Sequence, residues 1–420
     1  MKYLAIFCRW VFGLVFMFSG FVKAIDPWGS AYKIQDYLEA AGMSFPDGFV
    51  LGLSFLLCCF EFTLGMAWLL GLFHRFSAWA GLLIISFFTA LTFIIALTNP
   101  VSDCGCFGDA LILTNWQTFF KNILLLGLAS GAFLFRKKNR PSYSPGGEFL
   151  WLAICAAGIF LVSLYGYRHL PLMDFRPYKV GTHISTQMTL PEDAGSNQYN
   201  IRLYYEKDGQ VKEFTEENYP WQDTTWIFHS RKVEMISSVK PPIHDFSLVL
   251  LPDQQDITDE VLADSAYTFI LIAPRLDQAD LQTLMEANDW ADGCRNAGYR
   301  FICATSSPPS VIDSLSRTHG LRYSFVLADE ITLKTIIRSH PGLLMLKDGV
   351  IHAKWGFRDI PSPSLVLEQP SAFALARLTT QSRRYLLMLT SLTLVFVCYL
   401  FVHSRKRSRA RSRYTSRKVI

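Results

Sequence analysis

The chain has 420 residues, of which 50% are hydrophobic, 14% aromatic and only 18% charged, too apolar for an ordinary soluble protein of this length. The net charge of +5 does not describe a basic protein, because the eight Lys and Arg between positions 405 and 418 stand without an acid and the remaining chain is net negative. No nucleic-acid partner is expected, and the basic tail reads as a cytoplasmic anchor behind a membrane helix.

In chain order, residues 4–22 form an apolar run long enough to cross a bilayer, which takes about 20 residues. Val22-Lys23-Ala24 loosely resembles a signal-peptide cleavage site, but the run is long and further hydrophobic runs follow. Residues 23–48 are polar and aromatic, with Asp26-Pro27 and an amphipathic stretch from Tyr32 to Ala41 expected to lie along the membrane surface. Further runs cover 49–72 (interrupted by Glu61), 78–98, 116–135, 148–167 and 385–403. Basic loops at 74–75, 136–140 and 405–418 fall on one side of such a bundle. The positive-inside bias then predicts a multi-pass protein of the bacterial inner membrane with both termini cytoplasmic. Residues 168–384 and the loop at 99–115 are expected in the oxidising periplasm, where disulfides persist.

The segment 168–239 reads as β-rich, with a hairpin of Tyr199–Tyr205 and Val211–Phe214 around an Asp208-Gly209 turn. From about 240 the pattern alternates. Strands are expected at 269–273, 299–304 and 323–327, helices at 277–297 and 308–319, and a terminal hairpin at 343–346 and 351–355. A βαβ unit followed by an antiparallel hairpin predicts an α/β sandwich.

The chemistry-bearing stretch is Asp103-Cys104-Gly105-Cys106-Phe107-Gly108-Asp109, a tight glycine-rich loop between two apolar runs. A thiolate is the reactive form of cysteine. A disulfide between residues i and i+2 closes a very small ring, which raises its reduction potential, and Gly105 suits the backbone angles needed. Such a pair could take electrons from a substrate thiol and pass them to a lipid-soluble quinone, or it could be a static bridge. A metal is not expected, since the loop offers no His and a site needs more ligands. Glu61 lies in mid-span, where an ionisable group is costly and points to function; it could relay a proton or pair with Lys23. Cys58 and Cys59 beside it read as packing residues. Arg9, Lys23 and Asp26 near the ends of the first helix could position a quinone head group or snorkel to the interface. Cys294 and Cys303 could pair or stay as separate buried thiols.

Two stretches resemble known families. Residues 1–135 resemble the DoxX and MauE families of redox-associated four-helix membrane proteins. The residues that carry the likeness are Arg9-Trp10-Val11-Phe12-Gly13, Ser19-Gly20-Phe21-Val22-Lys23, Asp26-Pro27, Glu61 with Gly65 and Gly71, and Cys104-Gly105-Cys106-Phe107-Gly108-Asp109. The resemblance implies a quinone- or thiol-linked redox role in a bundle comparable to vitamin K epoxide reductase-like folds. Those reductases carry C-x-x-C, whereas this chain has C-x-C. Residues 240–362 resemble a thioredoxin-like domain of the peroxiredoxin or TlpA type, through Pro242–Leu248 and through His340-Pro341-Gly342 with the following hairpin. Where that family places C-x-x-C, this chain has Ala273-Pro274-Arg275-Leu276-Asp277, which implies a redox-inert, docking version.

The expected organisation is a four-helix domain at 1–140, a fifth span at 148–167, a β-rich segment at 168–239, a thioredoxin-like domain at 240–362, a sixth span at 385–403 and a basic tail at 404–420. The expected function is a membrane thiol:quinone oxidoreductase acting on a periplasmic thiol protein through Cys104 and Cys106, with Glu61 in the site. The competing expectation is a non-catalytic scaffold whose loop is a structural clip. A transporter is disfavoured by the single buried acid and the lack of an inverted repeat.

Overall fold

In a computed structural model of the protein, the described residues are 2–101, 103–134, 145–190, 198–207, 210–215, 220, 225–237 and 241–375. The apolar half folds into α1 (Lys2–Ile25), α2 (Pro27–Ala40), α3 (Asp47–Leu70), α4 (His74–Thr98), α5 (Asn115–Leu134) and α6 (Pro145–Arg168). Five of these, all but α2, are long and apolar enough to cross a membrane, which makes this a multi-pass membrane protein. The expected span at 385–403, the basic tail and the basic loop at 136–140 lie outside the described residues.

Helices α1 and α3 pack backbone to backbone because glycine faces the partner. A Cβ on Gly20 would strike the backbone nitrogen of Phe62, and one on Gly65 the backbone nitrogen of Met17. Phe12 stacks on Phe16 and Trp68 at centroid distances of 4.3 and 4.0 Å, with Leu125 and Ala129 of α5 completing that core. Asp26 and Pro27 are the cap and first residue of α2: the Asp26 carboxylate accepts from the Gly29 amide at 2.9 Å, and proline is at home at the first helical position. Ser54 on α3 donates to the Pro27 carbonyl at 2.9 Å, so α2 lies on the bundle rather than away from it.

After α6, residues 169–190 run as a strap containing α7 (Ile184–Gln187). The strap is fastened by Asp174, which accepts from Arg176 and from the buried Lys354, both at 2.8 Å. Strands β1 (Gln198–Lys207), β2 (Gln210–Thr215) and β3 (Ile227–Ser237) form a separate antiparallel sheet in the order β2-β1-β3. The hairpin β1–β2 is as expected and its turn at 208–209 lies outside the described residues; β3 adds a strand, not singled out beforehand, within the segment read as β-rich.

The second sheet takes β4 (Val249–Leu250), β5 (Gln255–Asp256), β6 (Thr268–Ile272), β7 (Arg300–Thr305), β8 (Ser324–Leu327), β9 (Gly342–Lys347) and β10 (Val350–Gly356). They lie in the order β10-β9-β6-β7-β8-β4-β5. Its helices are α8 (Thr258–Leu262), α9 (Leu281–Ala297), α10 (Pro309–His319), α11 (Glu330–Ile336) and α12 (Pro363–Leu367). Strands β6, β7 and β8 are parallel, while β9 runs antiparallel to β6. The central β6 is buried on both faces, so Phe269 and Leu271 join Trp290 of α9 in one core while Ile270 and Ile272 join Leu333 and Ile336 of α11 in the other. Parallel βαβ units followed by an antiparallel hairpin behind a cis-proline, His340-Pro341, make this a thioredoxin-like α/β domain.

Two expectations are shifted. The leading segment Pro242–Leu248, which resembles the entry strand of the thioredoxin-like family, is not a strand: it is docked by Ile243, Phe246 and Leu248, and the amides of Ile243 and Leu248 go to the Gln187 carbonyl and the Thr258 hydroxyl rather than to a ladder, so pairing starts only at Val249. The helix expected from 277 begins at Leu281, where the Asp280 carboxylate caps it by accepting from the Thr283 amide at 2.9 Å.

Candidate functional site

The cysteine loop joins α4 to α5. Its base is pinned by the Asn115 side-chain amide, which donates to Asn99 Oδ1 and to the Val101 carbonyl, each at 2.9 Å. Within it Gly105 and Gly108 take φ of 60° and 52°, a region costly for any side chain bearing a Cβ. The Gly105 amide donates to Asp103 Oδ1 at 2.9 Å. This tight turn leaves Cys104 Sγ and Cys106 Sγ 2.6 Å apart, so the two thiols can become a disulfide with little movement.

Two helices hold the loop. From α2, Lys33 Nζ pairs with Asp103 Oδ2 at 2.7 Å and the Tyr37 hydroxyl donates to the Cys104 carbonyl at 2.7 Å. Lys33 and Tyr37 are four residues apart and so share one helix face. From α1, Ser19 Oγ lies 2.7 Å from the Cys106 carbonyl oxygen and 2.8 Å from Glu61 Oε2. A hydroxyl has one proton, so Ser19 donates to one of them at a time. Lys23, one turn further along α1, donates to Ser19 Oγ at 2.9 Å and pairs with Glu61 Oε2 at 2.6 Å. Glu61 and Lys23 are 2% and 7% exposed, an ion pair buried within the bundle. Such a pair is costly to desolvate and costly to break.

These groups open onto one cavity of about 440 Å³. Its polar end carries Ser19, Lys23, Tyr37, Glu61 and the two cysteines, and its walls are apolar. Leu53 of α3 and Phe87 and Leu91 of α4 line it while also being exposed on the outside of the bundle, so it lies open towards the surface that meets lipid. Lys121 of α5 reaches the same cavity, with Nζ 4.4 Å from the centre of the Phe107 ring.

The thiols are electrostatically unequal. The close contact with Cys104 draws Cys106 below an ordinary cysteine, with Lys121 and Lys23 in support and burial and Glu61 opposing. The same contact, with burial, pushes the Cys104 thiol up. Whichever sulfur donates in the pair, the two lysines favour negative charge at Cys106.

Of the residues singled out in the sequence, Cys104, Cys106, Glu61 and Lys23 come together at this cavity. Arg9 does not: it sits beside Gly71 and His74 at the other end of α1, about 20 Å from Lys23 at 1.5 Å per residue. Asp26 lies behind the loop, capping α2 and paired with Arg338 at 2.9 Å. Cys58 faces α6, with Sγ 3.1 Å from Ser163 Oγ. Cys294 and Cys303 are separate buried thiols in one core. At the end of β6, Leu276–Gln278 forms a 3-10 turn and the amide of Asp280 donates to the His340 carbonyl at 3.0 Å. Lys33, Tyr37, Lys121 and Arg338 were not anticipated, and Ser19 was named only as part of the family-like stretch Ser19–Lys23. Lys121, an ionisable group inside an apolar span, carries the same signal that marked Glu61.

Helical spans, a buried ion pair and a two-thiol loop over an apolar cavity, with a thioredoxin-like domain attached, define a class of multi-pass membrane protein. Its membrane half is MauE-like: residues 1–135 match the family model described as Methylamine utilisation protein MauE, and residues 199–238 match a Domain of unknown function (DUF8463). No curated protein matches. Solved structures similar to part of the chain include a putative protein disulfide isomerase from Bacteroides thetaiotaomicron (13% identity, 30% of this chain and 82% of that one, TM-score 0.25). StoA from Bacillus subtilis is another (12%, 29% and 93%, 0.24). Peroxiredoxin Q from Xanthomonas campestris is a third (14%, 31% and 91%, 0.24).

Proposed function

We propose that the protein is a membrane redox protein that oxidises thiols of a periplasmic partner through Cys104 and Cys106 and hands the electrons to a lipid-soluble quinone. The observation that carries this reading is the shared cavity, which puts the cysteine pair and the Glu61–Lys23 pair at the polar end of an apolar pocket open to the lipid side. Its size and lining suit a flat apolar ring bearing carbonyl oxygens, with the Lys23 ammonium as the donor that would hold it. A quinone bound there would supply the acceptor for two electrons and two protons.

The chain's own residues account for the rest. In the oxidised pair, a partner thiolate attacks Cys104 and Cys106 leaves, since the sulfur with the lower pKa is the better leaving group. Lys23 and Lys121 stabilise the released Cys106 thiolate. A second partner thiol then displaces Cys104, leaving an oxidised partner and the reduced pair. Reoxidation removes two electrons and two protons from Cys104 and Cys106 and restores the bond between them. Glu61 is the group that can take up and pass on a proton, through Ser19, without opening the site to water.

Glu61→Gln, made together with Lys23→Met so that no lone charge is buried, is expected to slow quinone-dependent reoxidation of the pair about 10²-fold. Thiol exchange with a small dithiol should persist. Reoxidation at the wild-type rate would remove Glu61 from the reaction.

A further inference from the structure

The thioredoxin-like domain has no thiol at the end of β6, yet its cis-proline turn is not idle. It is pressed onto α2, the same helix whose other residues hold the cysteine loop. His340 Nε2 and the Tyr32 hydroxyl are 2.9 Å apart, and Trp28 meets the His340 ring edge-on at 5.5 Å. Lys334 and Arg338 sit over the Tyr32 ring at 4.9 and 5.3 Å.

Arg338 goes further. It follows α11, is 7% exposed, and forks between two carboxylates of the membrane half: Nε to Asp26 Oδ2 at 2.9 Å and Nη2 to Asp109 Oδ2 at 3.1 Å. Asp26 is the hinge between α1 and α2, and Asp109 closes the cysteine loop three residues after Cys106. Position 29 is kept bare for this contact, since a Cβ there would lie 2.5 Å from Asp26 Oδ2 and 3.0 Å from Arg338 Nη2. A buried guanidinium with two carboxylates fixes geometry in a way a lysine ammonium does not, because its donors are rigidly arranged.

We infer that the thioredoxin-like domain acts as an intramolecular clamp on the cysteine loop, with Arg338 as the positioning residue that ties Asp109 of the loop to Asp26 of the α1–α2 hinge. The domain contributes no thiol; it sets the conformation in which Cys104 and Cys106 face each other over the cavity. Its cis-proline face is committed to the chain's own α2. This role rests on the redox reading of the loop, but it is measurable without any quinone.

The test uses the full chain in native membranes. The reduced pair is alkylated with iodoacetamide across a pH series, and its dithiol:disulfide balance is read in dithiothreitol redox buffers. Asp109→Asn takes the charge from the loop arm and leaves the Asp26–Arg338 contact, so it tests the ionic clamp without undocking the domain. Arg338→Gln and Asp109→Asn should each change the Cys104/Cys106 alkylation rate at least tenfold and move the redox balance. The double variant should be no worse than the stronger single one, because both remove the same contact. Arg338→Lys should restore part of the effect. Wild-type alkylation and redox balance in Asp109→Asn, whatever Arg338→Gln does, would overturn the clamp, and so would additive effects in the double variant. Failure of quinone to reoxidise the wild-type pair would sink the proposed function and leave these measurements intact.

Discussion

Lys121 and Lys23 favour negative charge at Cys106, so the reduced pair should be more acidic than an ordinary cysteine. The thiolate is the form present above the pKa. Alkylation of the reduced pair should therefore stay fast to lower pH than that of an ordinary cysteine, which falls away below about 8.5. A profile with its midpoint near 8.5 would contradict the unequal pair. Lys121→Met should move the midpoint up, because it removes a charge that favours the thiolate. At this scale the sequence was informative where a residue was out of place: two thiols in a glycine-rich loop, and an acid in mid-span. It gave no role to Ser19, Lys33 or Tyr37. Their side chains are unremarkable in type, and only the packing of α1 and α2 on the loop gives them partners.

Helices α1 and α3 carry Lys23 and Glu61 to within 2.6 Å of each other because glycines let their backbones touch. Gly65→Leu should force them apart, costing about 1–3 kcal/mol or more of thermal stability and slowing pair reoxidation together. Loss of stability with unchanged reoxidation would separate the packing from the site. The strap after α6 offers a second check. Burial works against the charge on Asp174, but Arg176 and Lys354 outweigh it and hold the carboxyl far below the usual range. A depressed folded pKa stabilises above the unfolded value, so this contribution should be full above about pH 5 and fade as pH falls below about 4. Asp174→Asn leaves two buried cations and should cost about 3–5 kcal/mol, read as a lower Tm in detergent. Long elements were legible because their periods are strong: the five described spans and the strands β6, β7 and β9 stand close to where hydropathy and alternation put them. Short pairing was not legible. β4 is two residues long, and β3 carries no turn signal that fixes its partner.

For the whole molecule, the sequence read as a membrane bundle with a domain outside it, but the contact between them could not be read. Arg338 and Asp109 are 229 residues apart, and no local pattern links two charged residues at that separation. Beside the expected docking role of the thioredoxin-like domain, that contact supports the proposed role of clamping the cysteine loop. The loop, α2 and the domain all lie at one end of the bundle, opposite Arg9 and His74. A single compartment therefore holds the cysteine pair and the clamp. The most direct test is thiol trapping of Cys104 and Cys106 in native membranes, with mass spectrometry, before and after adding a mild reductant and then a quinone. The account predicts a pair that is reduced by the first and returned to the disulfide by the second, with the return slowed when Glu61 and Lys23 are replaced. A pair locked in one state under every condition would contradict it and make the loop a structural clip.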